Sequence, residues 1–449
     1  MNKIGIIGGG ISGLVAAFLL KNKGFEVTLF EKSERVGGNL QTVKVDGFTI
    51  EYAANSLLKS PRLVDLIREL MLDGEVLAAN KINKKRYVLR DGNLKSLPMS
   101  VAKMATDDFF SWKAKMRLLK EPFVKSKSPE SESVAQFFER RLGSEIVERA
   151  ADPFIAGIYA GSPGNLSVKA AFPRLYELEK DYGSLLFGSL RSKTEQAPKD
   201  FPRTFSFVNG VQTLTDKLTE NLNESVKTNV EIKKIEKTVD EKWLVNTDSG
   251  EKIFDALIIS TPAASAAKLI ENLDAELSAQ LKNVYYPPVA MVFLGVKEEN
   301  IGRSLDGFGF LVPSTERRNI LGTIWNSAVF ENRAPDGYHL LTSFVGGARS
   351  PELFEKSDAE LYEMVFDELK NILGVRGTKP DFMHVKRWRR AIPQYVLGYE
   401  KVERGIENFE NRNRGIFFCS NFYKGISVGD SVKNAYKTAD EIEKILKET

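Results

Sequence analysis

The first chemistry legible in this chain lies in two glycine clusters and one acid near its start. Gly8-Gly9-Gly10-Ile11-Ser12-Gly13 fits G-x-G-x-x-G, and Gly37-Gly38 makes a second turn soon after Glu31. Such spacing suits a dinucleotide. Gly8 permits a tight turn, Gly10 lets the backbone approach a pyrophosphate, and Gly13 lets helix and strand pack closely. A helix opening at Ile11 and Ser12 presents unpaired N–H groups and the positive end of its dipole to the phosphates. Glu31 can accept hydrogen bonds from a ribose diol.

A glycine fingerprint alone is weak evidence, and its context makes it specific. Lys3-Ile4-Gly5-Ile6-Ile7 reads as a short apolar strand. Residues 14–23 are apolar at helical spacing and Gly24 stops them. Glu26-Val27-Thr28-Leu29-Phe30 reads as a second strand ending on Glu31. A strand–turn–helix–strand unit therefore has to position the glycines and the acid. The motif does not choose between NAD and FAD. The run Glu31-Lys32-Ser33-Glu34-Arg35-Val36-Gly37-Gly38, with Asn39 after it, is E-x-x-x-R-x-G-G, which resembles the FAD-binding amine-oxidase superfamily and implies FAD. A second anion site is expected at Gly425-Ile426-Ser427-Val428-Gly429-Asp430, ahead of a last helix over 431–446 with Asp430 as its N-cap. A helix dipole there would stabilise the charge that a reduced flavin carries around N1 and its adjacent carbonyl. Trp388, ahead of Ala391-Ile392-Pro393-Gln394-Tyr395, is a candidate to pack on the flavin ring.

The 449 residues are long for one core, so two or more domains are expected. The net charge of +4 lacks the basic footprint of a nucleic-acid binder. One cysteine, Cys419, excludes an internal disulfide and a cysteine metal site, and two histidines, His339 and His384, supply no cluster or triad. No apolar stretch is long enough to span a bilayer. With the first strand beginning at Lys3, no leader is expected and the protein reads as cytoplasmic.

Along the chain, 42–50 reads as a hairpin turning at Asp46-Gly47, and 61–71 as a helix. Residues 84–97 read as a strand pair turning around Asp91-Gly92. From 98 to about 188 the chain is mostly helical, with a capping box at Ser133-Val134-Ala135-Gln136. On its own residues 109–127 reads as an amphipathic helix with a solvated basic face; the sharper reading is a membrane-surface element inserting Phe109 and Trp112. Three strands, 226–235, 242–246 and 253–260, return to the nucleotide domain. Strands over 290–296, 307–312, 320–325 and 338–344 give an antiparallel sheet with one face open to a ligand. A helix over 361–373 and a last strand over 417–421 complete the reading.

Several segments resemble the protoporphyrinogen oxidase branch of that superfamily, nearly end to end. They are Pro153-Phe154-Ile155-Ala156-Gly157-Ile158-Tyr159-Ala160-Gly161, Gly307-Phe308-Gly309-Phe310-Leu311-Val312-Pro313-Ser314, Leu321-Gly322-Thr323-Ile324-Trp325, Phe344-Val345-Gly346-Gly347 and Ala391-Ile392-Pro393-Gln394-Tyr395. The resemblance implies an α/β (overall α+β) enzyme that binds FAD non-covalently. A Rossmann-type FAD domain would comprise 1–75, 205–285 and 385–449, an antiparallel-sheet substrate domain 76–97 and 286–384, and a helical membrane-associating insert 98–204. It implies oxidation of protoporphyrinogen IX to protoporphyrin IX in haem biosynthesis by hydride transfer to flavin N5, with oxygen or another electron acceptor giving peroxide in the oxygen case. It also implies a membrane surface as partner, at the inner face of the cell membrane, and is compatible with a homodimer and with product hand-over to a ferrochelatase.

By position, the resemblance makes Arg86 the partner of a substrate propionate. Leu311, Ile324 and Phe344 would hold the tetrapyrrole rings, and Gly157 would be a backbone position close to them. Val230 would meet adenine through its backbone, and the stretch Glu51-Tyr52-Ala53-Ala54-Asn55-Ser56 would lie beside the flavin, although its Ala53-Ala54-Asn55 departs from the usual Gly-Pro pattern. On their own residues the three apolar positions read as sheet core and Arg86 as a strand charge. The alternatives are coproporphyrinogen III oxidation on the same fold, a flavin amine oxidase, and a non-catalytic flavoprotein. The four carboxylates of coproporphyrinogen call for more basic residues, and covalent flavin attachment calls for a cysteine near Trp388, where there is none.

Overall fold

The computed structural model describes residues 2–98, 101–125, 127–192 and 197–447. In strand Lys3–Ile7 successive side chains face opposite ways. Ile4 and Ile6 join one core while Ile7 joins another. A strand apolar on both faces belongs in the middle of a covered parallel sheet. Here the parallel order is Val226–Lys227, Glu26–Phe30, Lys3–Ile7, Ala256–Ile259, Ile416–Phe418. Helices Ile11–Asn22, Gln212–Leu222 and Val428–Lys447 cover one face. Helix Ala263–Ile270 and an antiparallel sheet of Ile232–Lys237, Trp243–Thr247 and Gly250–Phe254 cover the other.

Two strands expected from the sequence are divided in the structure. The 226–235 run splits into Val226–Lys227, in the parallel sheet, and Ile232–Lys237, in the antiparallel one. The break falls at Asn229, whose φ of 56° no strand residue adopts. The 253–260 run splits at Asp255, whose carboxylate accepts the Lys3 N–H at 2.7 Å. Apolar patterning is blind to both breaks, because each half is strand-like.

The second body is a seven-stranded sheet in the order Phe382–Trp388, Val289–Lys297, Tyr338–Gly346, Gly322–Trp325, Gly309–Leu311, Tyr87–Arg90, Asn93–Ser96. All neighbours are antiparallel except Gly309–Leu311 with Tyr87–Arg90, which run parallel. The 384/385 domain boundary drawn from sequence falls inside strand Phe382–Trp388. Helix Asp358–Leu373, opened by a Ser357/Glu360 capping box, covers one face through Leu361, Val365 and Leu369. Against the other face packs the Thr42–Val45/Phe48–Glu51 hairpin, whose Asp46-Gly47 turn has both φ values positive.

Helices between Trp112 and Arg191 form the insert, around Phe137, Ile155, Tyr159 and Leu166. The expected capping box forms, with Ser133 and Gln136 exchanging hydrogen bonds at 3.2 and 2.9 Å. Phe109 does not face outwards as the membrane reading required. It is 1% exposed and packs with Phe110, Val88 and Ile146, whereas Trp112 is 72% exposed. Nor do Lys115 and Arg117 form a free basic face, since their side chains donate to the carbonyls of Asp107 and Arg140.

A buried ion network holds the insert together. Arg141 donates to the Glu121 carboxylate, to Glu179 at 3.2 Å and to the Gly183 carbonyl at 2.9 Å. Glu121 in turn accepts from Ser184 Oγ at 2.6 Å and from the Leu185 N–H at 2.9 Å, at the start of helix Leu185–Arg191. Burial alone pushes the Glu121 carboxyl up, but these hydrogen bonds outweigh it and hold the group below the usual carboxylate range. A depressed folded-state pKa adds stability that is complete above the unfolded value and is lost as pH falls through the folded one. Glu121→Gln should therefore cost about 3 kcal/mol, because it leaves buried Arg141 with Glu179 as its one carboxylate among the described residues, at 3.2 Å and shared with Arg140. Denaturant unfolding at pH 7 and at pH 4 checks this, with the gap to the parent protein narrowing at the lower pH.

Candidate active site

The glycine turn has the geometry its residue types call for. Gly8 has φ 111°, and a side chain there would meet the Ser260 carbonyl at 2.7 Å. A Cβ on Gly13 would sit 2.1 Å from the Gly8 carbonyl, so helix and strand touch there. A Cβ on Gly10 would meet nothing within 4 Å, so the turn opens onto space at that one position. Helix Ile11–Asn22 has no side-chain cap and no acid in its first turn. Its first N–H groups are thus left for an anion. The second turn docks on the first, with Gly37 N–H donating to the Gly9 carbonyl at 2.7 Å. Arg35 braces it through the carbonyls of Gly38 at 3.0 Å and Leu40 at 3.2 Å.

Glu31 closes the far end. Its carboxylate accepts the N–H groups of Gly9 at 2.8 Å and Ser33 at 2.9 Å. A carboxylate offers about four acceptor directions, which leaves capacity for a ribose diol. Val230 lies alongside, its N–H donating to the Glu31 carbonyl at 2.9 Å. Lys32 and Asn39 are exposed, with no side-chain hydrogen bond that would aim them at the turn. Ser260 Oγ and Thr261 Oγ1, beside the turn, and Ser60 Oγ, beside Gly429, are buried without a hydrogen-bond partner among the described residues. An open cradle, uncapped helix N–H groups and orphaned hydroxyls beside two glycine segments fit a bound dinucleotide.

The loop Ala53-Ala54-Asn55-Ser56 is held from the other side. Asn55 is buried and bridges the Ala53 carbonyl at 3.3 Å and Asn326 at 2.7 Å. Asn326 accepts from Thr342 Oγ1 at 2.6 Å, which ties the loop to the seven-stranded sheet. Trp388 Nε1 donates to the Tyr52 carbonyl at 2.6 Å. Across the gap, helix Val428–Lys447 brings its N-terminus, with Ile426 and Val428 half-buried. Its N-cap is Ser427, not Asp430. Asp430 N–H donates to Ser427 Oγ at 3.0 Å, and the Asp430 carboxylate accepts the Ser427 N–H at 3.3 Å, the reciprocal arrangement of a capping box.

Strand register puts the remaining predicted residues on one sheet face. Leu311 pairs with Gly322, Gly322 with Phe344, and Gly309 with Ile324. Leu311 also pairs with Val88, two residues from Arg86. Directly paired residues share a face, as do residues two apart. Arg86, Leu311, Ile324 and Phe344 therefore line one surface, which continues through Met291 to Lys386 and through Val289 to Trp388. Within otherwise buried strands Leu311, Ile324 and Phe344 are half-exposed. Gly157, exposed on helix Asp152–Tyr159, lies over Leu311, 2.6 Å from its side chain when a Cβ is placed there. That helix is anchored by Asp152, which accepts the Ser314 N–H at 2.6 Å and an Arg349 bond at 3.2 Å. It follows a π-helical turn, Val147–Ala151, a feature frequent at functional sites.

Arg86 ends this wall. Its neighbours Lys85 and Tyr87, facing the other way, both bind Asp306. Arg86 instead rests on the Phe308 ring at 4.4 Å, and no carboxylate among the described residues is recorded against it. Burial, then the charge of Arg203, lowers its pKa. Sequence reading missed Arg203, and also Phe154 and Ile158, which with Gly157 form the exposed face of their helix. It missed His384, Lys386 and Asn326 as well. The i, i+2 spacing of His384, Lys386 and Trp388 in one strand was the available signal.

A Rossmann-type dinucleotide site joined along a sheet face to an apolar wall with a cation at its end fits a flavoprotein oxidoreductase. The family model for flavin containing amine oxidoreductases matches residues 11–443. The mitochondrial protoporphyrinogen oxidase of Nicotiana tabacum is 34% identical over 477 residues, covering 98% of this chain and 94% of the tobacco protein. The coproporphyrinogen III oxidase of Bacillus subtilis (strain 168) is 29% identical over 453 residues, covering 95% of each. A crystal structure from Exiguobacterium sp. 255-15 superposes with a TM-score of 0.80, at 25% identity and 98% coverage of both chains. The chain belongs to the flavin containing amine oxidoreductase family, with FAD as its cofactor.

The glycines separate folding from cofactor binding. Gly10→Ala should leave unfolding of the FAD-free protein within about 0.5 kcal/mol, since a Cβ there meets nothing within 4 Å, yet weaken FAD binding by at least about tenfold. Gly13→Val should destabilise the FAD-free protein itself. Flavin absorbance of the purified variants and denaturant unfolding check the contrast.

Proposed function

We propose that this enzyme oxidises protoporphyrinogen IX to protoporphyrin IX, with FAD as the immediate electron acceptor. The observation that carries this reading is the sheet face on which Leu311, Ile324 and Phe344 stand half-exposed among buried neighbours, ending at Arg86. A flat, largely apolar macrocycle with carboxylates on one edge matches such a wall, and the relatives named above act on porphyrinogens. When bound, FAD supplies a two-electron acceptor. The chain's own part is placement. Arg86 receives a propionate bidentately. Leu311, Ile324 and Phe344 hold one face of the rings, and Gly157 admits the macrocycle where a side chain would collide. The named wall from Arg86 to Phe344 carries no acid or imidazole, so the pyrrole proton leaves to solvent or to a backbone carbonyl.

The insert fits a peripheral membrane element on the cytoplasmic side. No helix among the described residues is long and apolar enough to cross a membrane. Trp112, Leu119, Phe123, Phe187 and Leu190 are exposed on the insert. They lie among lysines and arginines, a composition suited to an anionic lipid surface. Combined Trp112→Ser and Phe123→Ser substitutions should abolish sedimentation with anionic liposomes while leaving turnover of detergent-solubilised substrate intact. Retained sedimentation would remove the insert from the membrane.

Turnover of the two porphyrinogens side by side, followed by porphyrin fluorescence, tests the reaction. Protoporphyrinogen should be oxidised with the higher kcat/KM. A preference for coproporphyrinogen III moves the assignment to that substrate, whose additional carboxylates would call on Arg203 beside Arg86. Arg86→Ala should lower kcat/KM by about 10–100-fold, the worth of a charged hydrogen bond of about 1.5–3 kcal/mol, with FAD content unchanged.

A further inference from the structure

Strand Phe382–Trp388 carries a cation with no acid to explain it. His384, Lys386 and Trp388 project from one face of this edge strand, opposite Phe293, Met291 and Val289. Tyr52, immediately before the Ala53–Ser56 stretch, wedges into the row. Its ring stacks on His384 at 5.6 Å and 8°, its hydroxyl meets His384 Nε2 at 2.8 Å, and its carbonyl holds Trp388 Nε1. Lys386 Nζ is left between two aromatic rings, 4.6 Å from Tyr52 and 4.4 Å from Trp388.

A half-buried ammonium usually pairs with a carboxylate or reaches water. Lys386 has no hydrogen bond or ion pair recorded among the described residues. Burial, then the charge of Arg35, a second cation, lowers its pKa. Arg35 braces the Gly37-Gly38 turn, so Lys386 stands between the glycine turns and the Tyr52–Ser56 loop. Asp216 and Glu31 offset the charge of Arg35, but no carboxylate among the described residues offsets that of Lys386, and a half-buried cation repelled by a second one is costly unless an anion comes to it. Cation–π contact keeps the ammonium in place at modest gain and leaves its charge unneutralised.

We infer that Lys386 is a cofactor-facing positioning residue whose ammonium stabilises the anionic pyrimidine edge of reduced FAD. Two electrons and one proton convert the neutral oxidised ring to a monoanion with its charge around N1 and the adjacent carbonyl. A fixed cation beside that edge favours the reduced ring over the oxidised one, adding to the dipole of helix Val428–Lys447. Because the inference rests on the FAD site and not on the porphyrinogen, it stands or falls separately from the substrate assignment.

Dye-coupled redox titration of purified holoenzyme tests it, with FAD affinity measured by reconstitution. Lys386→Met keeps the stem that packs on Tyr52 and Trp388 and removes the charge. Binding of reduced FAD should weaken about tenfold more than binding of oxidised FAD, which lowers the two-electron potential by about 30 mV. Lys386→Arg should restore most of the shift, and unfolding of the FAD-free Lys386→Met protein should match the parent. An unchanged potential in Lys386→Met overturns the inference. So does an equal loss of affinity for both redox states, which would assign the charge to the pyrophosphate. A shift that Lys386→Arg fails to restore also overturns it, since the effect would then be one of packing.

Discussion

The structure depends on how the short loop after strand Phe48–Glu51 is held. It has to touch the flavin site on one side and the seven-stranded sheet on the other. At its start Glu51, 1% exposed, takes the Val211 N–H at 3.0 Å and Thr42 Oγ1 at 2.7 Å, with Arg333 at 3.8 Å. Arg333 is equally buried and reaches Ser206 Oγ at 2.9 Å and the Phe207 carbonyl at 3.0 Å. Burial pushes the Glu51 carboxyl up to about 7, because Arg333 and the two donors only partly offset the loss of water. Further on, Asn55 joins Asn326 and Thr342. Such contacts are expensive to break, since each leaves a buried polar atom without a partner. They give the loop one position rather than much stability.

That single position determines the geometry of everything beyond it. Fixing Tyr52 fixes Trp388 through its ring N–H, and with it the far end of the sheet face. The hydrogen-bond ladder then carries the register from Trp388 and Lys386 across Met291, Phe344, Ile324 and Leu311 to Arg86. A residue shift of one anywhere in this ladder would turn the wall inwards and present Thr323 and Ser343 instead. Those two hydroxyls meet at 2.8 Å on the helix-covered face and satisfy each other there. The sheet is thus held in register from both sides, by apolar packing beneath and by the loop above.

How much of this was legible in the sequence follows from what each residue type can reveal. Glycine is informative where backbone approach forbids a side chain, so Gly8 and Gly13 announced the tight turn and the helix–strand contact. The hairpin at Asp46-Gly47 and the box at Ser133 were readable because turn and cap chemistry is local. Leu311, Ile324 and Phe344 were not readable from their own chemistry, because an apolar residue in a strand looks like core whether it meets a helix or a ligand. Only resemblance singled them out, and only their half-exposure distinguishes them physically. Phe109 failed for the opposite reason. Its aromatic side chain next to basic residues looked interfacial, but a cluster contributed by Val88 and Ile146, distant in sequence, buries it. The breaks at Asn229 and Asp255 depend on which sheet each half joins, which no local pattern records.

Lys386 shows where such reading stops being about single residues. A lysine in an edge strand is ordinary, and edge strands often carry lysines that keep them from pairing. Its meaning appears only when Tyr52, far away in the chain, closes the aromatic pair around it and Arg35 arrives as a second cation. The same holds for Arg86, ordinary at a strand start until Lys85 and Tyr87 are seen to claim Asp306 for the other face. In both cases the informative quantity is a missing partner. A protein whose acids and bases nearly balance, 60 against 64, has ample opportunity to neutralise a half-buried cation. Where it leaves two of them facing one continuous surface, at opposite ends of an apolar wall, that surface is arranged for something that brings negative charge to both ends. Under the two proposals made for these residues, FAD would supply it at the Lys386 end, and a carboxylate-bearing substrate at the Arg86 end.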